Sequence, residues 1–308
     1  MPDRPKLILR PMQEADLGAA MYIGREAMDW LRRSQGEETQ PWQPSQPAAQ
    51  RHLLRTDPDG AWIAEMNGVP VGYAMALVRG DVWFLAQLFV QPDQHGHGIG
   101  AELLRRAQDY GRARGARAFS VVASSSRVAH ALYMRAGMFA TGIGYRMTGP
   151  LAPLLDLPQP DAGTQRIVDC SGWLDGIAAL DRAAFGAERR QDHAFYLDTA
   201  SRPGPEASFG LARDGDLLAY GYAIASGGFI APLVAYEPED QLPVLRMAAE
   251  WLVEHEVSTG DMLVFSHNRT IMQALLAAEW TSRGWVFLMT SAEFGQFDRY
   301  HPAGGTLL

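Results

Sequence analysis

The chain has 308 residues, 47% of them hydrophobic, with 27 Lys and Arg against 35 Asp and Glu and a formal net charge of −8. That length allows two ordinary domains, and the apolar fraction excludes a chain disordered throughout. The acidic balance argues against a nucleic-acid binder, whose footprint would be a basic face. A lone cysteine, Cys170, excludes an intramolecular disulfide. It has no neighbouring His or basic cluster to activate its thiol, so it reads as a buried structural residue. Residues 1–10 lack the apolar core of a signal peptide, and no run reaches the ~18 apolar residues of a membrane span. A cytoplasmic protein without membrane or nucleic-acid partners is expected.

In chain order, residues 6–10 read as a first strand, broken by Pro11. Residues 15–28 read as a helix with Leu17, Ala20 and Met21 on one face. Residues 35–50 hold Pro41, Pro44 and Pro47 around Trp42. This loop reads equally as a surface connection or as a flap over an acceptor site. Residues 61–66 and 69–78 are strands joined at Asn67-Gly68, a strong hairpin signal. A further strand covers 82–90.

The strand over 82–90 ends in Leu88-Phe89-Val90, followed by Gln91-Pro92-Asp93-Gln94-His95-Gly96-His97-Gly98-Ile99-Gly100. Glycine at alternate positions lets the backbone approach a ligand and turn its N–H groups inward. The loop opens straight into a helix, whose first turn leaves N–H groups without partners at the positive end of its dipole. Together these features make a phosphate or pyrophosphate site. The helix carries Ile99, Leu103, Ala107 and Tyr110 as an apolar stripe, with Arg105, Arg106, Asp109 and Arg112 off it. Gly115 ends it. Residues 118–123 form the next strand, and Ser124-Ser125-Ser126 supply N-cap candidates for a helix over 127–136. Gly137 stops that helix, and 139–147 return as strand. A dinucleotide fingerprint is the weaker reading of the same glycines. Gly96, Gly98 and Ala101 fit its spacing, but they follow a hairpin deep in the domain, and no acid occurs in residues 116–122.

Residues 149–164 contain Pro150, Pro153, Pro158 and Pro160 and read as a stiff linker. Beyond it the pattern repeats. Strand 165–170 and helix 174–185 precede a hairpin of 208–213 and 217–225 about Asp214-Gly215. Strand 229–236, helix 242–254, strand 262–266, helix 270–278 and strand 285–290 follow. Gly68 and Gly215, Pro92 and Pro238, and Met147 and Met289 each stand roughly 145 residues apart, one architecture written twice. Where the first copy has its glycine loop, the second has residues 241–246, without glycine and with Pro243, which offers no N–H. Leu276 stands where the first copy has Tyr133. The expected division is 1–150, bearing the loop, a linker at 151–164, and 165–308, bearing scaffold alone. The tail from Phe294, with Phe297, Tyr300 and His301, reads as an extended segment docked on a domain.

These residues carry a resemblance. The window His95-Gly96-His97-Gly98-Ile99-Gly100 resembles the Q/R-x-x-G-x-G/A loop after the fourth strand of the GNAT superfamily of acyl-CoA-dependent N-acetyltransferases, with His95 in place of Gln or Arg. The segment Ala129-His130-Ala131-Leu132-Tyr133-Met134-Arg135-Ala136-Gly137-Met138-Phe139 looks like that family's A-x-x-L/F-Y-x-x-x-G-F, with Met138 for the usual aromatic. Ser126 stands where many members have Asn. The tandem arrangement, one copy intact and one degenerate, is similar to that of two-domain members. The resemblance spans residues 5–150 well and 165–308 weakly. It implies an α/β (α+β) fold of two tandem domains, each a mixed, mostly antiparallel sheet flanked by helices. It implies acetyl-CoA as co-substrate and no metal. His95, Gly96, His97, Gly98, Ile99, Gly100 and Ala101 would hold the pyrophosphate. The pantetheine arm would lie along Leu88, Phe89 and Val90, with Ser126 and Ala129 beside the cofactor.

The same resemblance implies direct transfer of an acetyl group to a primary amine, on a small molecule or peptide. Tyr133 is the implied general acid: a phenol of pKa about 10 can protonate a thiolate whose conjugate acid lies near ~8.5. Its plainer reading is packing beside the cofactor. Several members use a Glu on or near the fourth strand as base. Here Gln87 occupies that strand, with no carboxylate between Trp83 and Val90, which leaves Glu65, Asp81 and Glu37-Glu38. His95 and His97 lack a third nearby ligand for a metal. The alternative is a non-catalytic acyl-CoA sensor or interaction module, motivated by the missing acid and opposed by the retained Tyr133. Oligomeric state is open, a homodimer included.

Overall fold

The computed structural model describes residues 6–39, 47–198 and 206–307. Pro41, Trp42 and Pro44 of the expected flap lie outside them. The chain divides into two compact units. The first runs to Val121 and takes in Ser126–Ala136, and the second holds Val122–Ser125 and everything from Gly137 on. Each is a mixed, mostly antiparallel sheet flanked by helices. Among the described residues no helix is long and apolar enough to cross a membrane.

In the first unit the strands lie in chain order: β1 (Leu7–Pro11), β2 (Ala61–Met66), β3 (Val69–Arg79), β4 (Val82–Val90) and β5 (Ala118–Ala123). The first four are antiparallel, and β5 runs parallel to β4. Asn67 and Gly68 both take positive φ, 53° and 80°, the tight turn whose twist matches the flanking strands. The helices are α1 (Leu17–Ser34), α2 (Ala48–Thr56), α3 (Ile99–Ala113) and α4 (Arg127–Arg135). α1 runs past the expected stop at residue 28. Arg25 pairs with Asp29 one turn on, and Arg32 and Arg33 complement the dipole in its last turn.

The stripe Ile99, Leu103, Ala107 and Tyr110 is buried against the sheet. Trp83 of β4 donates its indole N–H to the Ala107 carbonyl at 2.8 Å. A Cβ on Gly111 would sit 2.5 Å from the same ring, so glycine is what lets α3 lie this close. Under the sheet's far end Asp57 and Arg79 form a buried ion pair at 2.8 Å. Asp57 also accepts from the Tyr110 hydroxyl at 2.7 Å and the Val78 N–H at 3.0 Å.

One irregularity positions the site. The β3–β4 register slips between Met75 and Ala76, leaving Ala86 as a bulge. The β4–β5 pairing runs from Val82↔Ala118 to Leu85↔Val121 and stops there. Residues 82–86 of β4 are buried and 87–90 are half-exposed. Beyond the bulge β4 carries an open edge towards the glycine loop.

The second unit contains β6 (Phe139–Pro150), β7 (Gln165–Ile167), β8 (Glu206–Arg213), β9 (Asp216–Ile224), β10 (Phe229–Ala235), β11 (Thr259–Phe265), β12 (Thr281–Thr290) and β13 (Tyr300–His301). Its helices are α5 (Leu174–Ala184), α6 (Arg190–Leu197), α7 (Gln241–Glu254) and α8 (Arg269–Ala277). The order is β12-β6-β11-β10-β9-β8-β7, with β13 on β10. β6, which ends the first half of the sequence repeat, lies antiparallel between β11 and β12, with Gly144 opposite Phe265 and Ala140 opposite Met289. The division at residue 150 read from the repeat and the division at Gly137 read from compactness differ by this strand. The Pro-rich stretch is also more than a connection. Leu151 and Leu154 are fully buried among Val244, Leu252 and Trp280. Cys170 is buried as expected, and burial pushes its thiol up to about 12.

α6 was not legible as a helix because its inward face is polar: Asp192 and His193 are both buried. His193 Nε2 lies 2.7 Å from Asp181, which also accepts from Arg189 at 2.8 and 3.0 Å and from Tyr220. Burial alone would raise the Asp181 pKa, but Arg189 and His193 outweigh it and hold it at about 2. Arg189 also donates to the Tyr300 hydroxyl at 2.6 Å, which ties the tail into this network.

Candidate active site

The glycine loop starts with a single 3-10 turn, Pro92–Gln94. Gly96 and Gly98 follow with φ of 83° and 78°, and Gly98 is the N-cap of α3. A Cβ at either would meet nothing within 4 Å, so backbone conformation and not crowding calls for glycine. The first intrahelical bond of α3 runs from the Glu102 N–H to the Gly98 carbonyl. The amides of Ile99, Gly100 and Ala101 therefore precede it and form the helix's donor end. Gly100 differs, since its Cβ would make ordinary contacts with Val90 and Leu132 at 3.7 Å.

Both loop histidines face their own backbone. His95 Nε2 lies 3.0 Å from the Val90 carbonyl and His97 Nδ1 lies 3.2 Å from the Gln94 carbonyl. Trp30 of α1 meets His95 edge-on, with ring centroids 5.1 Å apart. The imidazoles brace the loop through its own carbonyls. Among the described residues no cluster of three or more His, Cys, Asp or Glu could hold a metal.

Along the open edge of β4, Leu88, Phe89 and Val90 are half-exposed. Tyr73 of β3 stacks obliquely on Phe89 at 5.7 Å and donates its hydroxyl to Gln87 Oε1 at 3.3 Å. α1 presses on this pair, because a Cβ on Gly24 would stand 2.8 Å from the Tyr73 hydroxyl. Tyr73 escapes sequence reasoning, since in Val-Gly-Tyr-Ala-Met-Ala it reads as core. Burial pushes its phenol well above the ordinary tyrosine value.

Tyr133 lies on α4 at 6% exposure, and burial likewise pushes its phenol well up. It is therefore a neutral O–H donor across the physiological range. Ser126 caps α4, its Oγ accepting from the Ala129 N–H at 3.3 Å. These two residues, expected beside the cofactor, are thus bonded to each other. The four carboxylates named as base candidates are either paired or exposed. Glu65 accepts from Arg10 at 2.6 and 3.0 Å. Asp81 is exposed in the turn at the opposite end of β4, and Glu37 and Glu38 are exposed beyond α1.

In the second unit the corresponding place is filled. The β9–β10 register slips between Ile230 and Leu233. With Pro238 matched to Pro92, that slip falls where β4 bulges at Ala86. Leu233 and Val234 then match Gln87 and Leu88, and they pair with His301 and Tyr300 of β13. The protein's own tail lies where β4 keeps an open edge.

The family of acetyltransferases called GNAT matches residues 25–138. Those residues are similar to a GNAT domain. The match takes in β2 to β4, the glycine loop, α3 and α4. GNAT folds also match the chain nearly end to end. A candidate acetyltransferase from Pyrococcus horikoshii superposes with a TM-score of 0.73 at 17% identity, covering 98% of this chain and 96% of its own. A tandem GNAT protein from the clavulanic acid biosynthesis pathway superposes with a TM-score of 0.62 at 17% identity, covering 92% and 98%. Sequence likeness is more local. An uncharacterized N-acetyltransferase of Methanocaldococcus jannaschii is 35% identical over 72 residues, 21% of this chain and 32% of that protein. The chain thus spans about a third of that curated relative's length.

Proposed function

We propose that this protein is a GNAT acetyltransferase that transfers the acetyl group of acetyl-CoA directly to a primary amine. The domain ending at residue 150 would bind the thioester, and residues 165–308 would form a degenerate second copy that braces it or shapes the acceptor cleft. One observation carries the reading: β4 sheds its β5 partner at the Ala86 bulge and runs as an open edge into left-handed glycines at a helix N-terminus. The donors there fit the pyrophosphate, and the open edge fits an extended amide-bearing arm that can pair with strand backbone. The second copy lacks both features. Residues 241–246, expected to match the glycine loop, are already the start of α7 with Pro243 in its first turn, and β13 covers its strand edge.

Acetyl-CoA supplies an activated acyl carbon with a thiolate leaving group. The chain's own task is to hold and orient it. The amides from Gly98 to Ala101 would face the pyrophosphate, with the α3 dipole adding a favourable field. Residues 87–90 would align the arm so that the acyl carbon stops at the bulge. Tyr133, kept neutral by burial, would donate its O–H proton to the departing sulfur and regain one from the amine nitrogen. The new C–N bond forms as the C–S bond breaks, and one proton passes from nitrogen to sulfur.

Release of free thiol from acetyl-CoA, measured against a panel of primary amines, tests this. Amine-dependent thiol release supports the reading. Acetyl-CoA binding with no turnover on any amine would replace it with the sensor reading.

A further inference from the structure

The tail returns to the second unit as β13 and carries a histidine into its core. In β13 His301 pairs with Leu233 of β10, and Tyr300 with Val234. Neighbouring strand residues point to opposite faces, and directly paired ones to the same face. Tyr300 faces the network of Asp181 and Tyr220, and accepts from Arg189 at 2.6 Å. His301 lies on the other face, beside Leu233. That is the α7 side, because a Cβ on Gly221 would stand 3.0 Å from Leu233 and 2.9 Å from Val244 of α7. The His301 ring is fully buried, and neither of its nitrogens has a hydrogen-bond partner among the described residues. A neutral imidazole can be held there, but an imidazolium would bury a charge and two strong donors without partners. Burial pushes the ring from the ordinary 6.5 down to about 3, opposed only by the Ile230 backbone.

The charged groups around β13 leave this ring uncompensated. β10 has no titratable residue, and Asp261 of β11 is held by Arg283. On α7, Arg246 and Glu250 hold each other at 2.8 Å, and Glu254 and His255 are exposed at its end. Asp181, Arg189, Asp192, His193, Tyr220 and Tyr222 stand on the Tyr300 face. None of these, nor the acids at 237, 239 and 240 ahead of α7, acts on the His301 ring. We propose that the tail is a strap released by mild acid: a proton on His301 drives β13 off β10. Release bares Leu233 and Val234, the stretch that matches the open edge of β4. The device lies within the second unit and does not depend on acetyl transfer by the first. The remaining anchors do not titrate between pH 5 and 7.5. Arg299 donates to the Tyr236 carbonyl at 2.6 Å, and Phe297 packs edge-on against Phe265 at 5.2 Å. They set how tightly the strap sits at neutral pH, and His301 sets how that changes.

Docking is at full strength above the released ring's 6.5 and weakens as pH falls towards the docked ring's value of about 3. The opening equilibrium should rise about 30-fold from pH 7.5 to pH 5.0. Hydrogen exchange of the full chain, corrected for the intrinsic rate at each pH, reads that equilibrium. Protection over residues 229–236 and 297–304 should fall about 30-fold, while residues 216–224 of β9 change less than threefold. Tail protection within threefold at the two pH values would overturn the proposal. So would an equal loss over 216–224, which would mean that the unit unfolds as a whole. His301→Phe, which keeps a ring in the site but cannot titrate, should protect the tail equally at both pH values. A dependence that survives in this variant would place the proton elsewhere, as on His193, and overturn the assignment. In the wild-type chain the His301 ring, followed by NMR, should titrate at least one pH unit below 6.5. Titration near 6.5 with the tail amides still protected would overturn the proposal without any variant.

Discussion

Replacing Gly98 probes the loop at its most constrained point. Its φ of 78° costs an L-residue about 1–2 kcal/mol, and no atom lies within 4 Å of an added Cβ. Gly98→Ala should therefore fold, but relieving the strain rotates the peptide planes on either side and re-aims their amides. A hydrogen bond to a charged group is worth roughly 1.5–3 kcal/mol, so losing one weakens acetyl-CoA binding by about 10- to 150-fold. Gly98→Pro goes further, deleting one N–H and forcing φ to about −65°. It should weaken binding by at least about 100-fold. α3 itself should persist, because Ile99, Leu103 and Ala107 remain buried. Calorimetric titration with acetyl-CoA gives the affinity, and circular dichroism checks the fold. Acetylpantetheine, which lacks the pyrophosphate, supplies the control: its kcat/KM should change less than threefold in Gly98→Ala. An acetyl-CoA Kd within twofold of wild type in folded Gly98→Pro would refute the assignment of the loop.

Tyr133→Phe should lower kcat by about 10²-fold or more, the lower end of general-acid contributions, while the acetyl-CoA Kd stays within threefold. Equal kcat in the two proteins would leave Tyr133 a packing residue. Arg79→Met removes one partner of the buried pair with Asp57 and leaves an uncompensated carboxylate. Denaturant titration should show a loss of about 3–5 kcal/mol from the first unit. Asp181 has its folded pKa lowered, from the ordinary 3.8 to about 2. Its stabilisation is fully present above pH ~4 and is lost as pH falls through ~2, on the order of 2 kcal/mol. Acid titration of Asp181→Asn should lack that component, and an unchanged acid transition would show that the network does not contribute.

Local chemistry was legible without coordinates. The turns at Asn67-Gly68 and Asp214-Gly215 are set by residues that tolerate positive φ, and they fall where expected. The stripe on α3, the cap at Ser126 and the left-handed glycines at 96 and 98 depend on neighbours within about four residues, so their signals lie in short windows. Tyr133 could be picked out because its segment carries a recognisable pattern. Tyr73 could not, since its role depends on Gln87, fourteen residues on and across a hairpin.

The residues of the glycine loop determine on their own that a row of amides is presented at a helix start, because glycine conformation and helix polarity are local properties. Tertiary structure alone decided what surrounds that row. The bulge at Ala86 shows only through the slipped pairing with β3. The setting of β6 between β11 and β12 joins residues more than a hundred positions apart. The filling of the second copy's open edge depends on a tail whose Tyr300 is held by Arg189, just before α6. Each of these follows from side chains and strands that meet only after the chain has folded, so the pairing that creates it is not written in either partner alone.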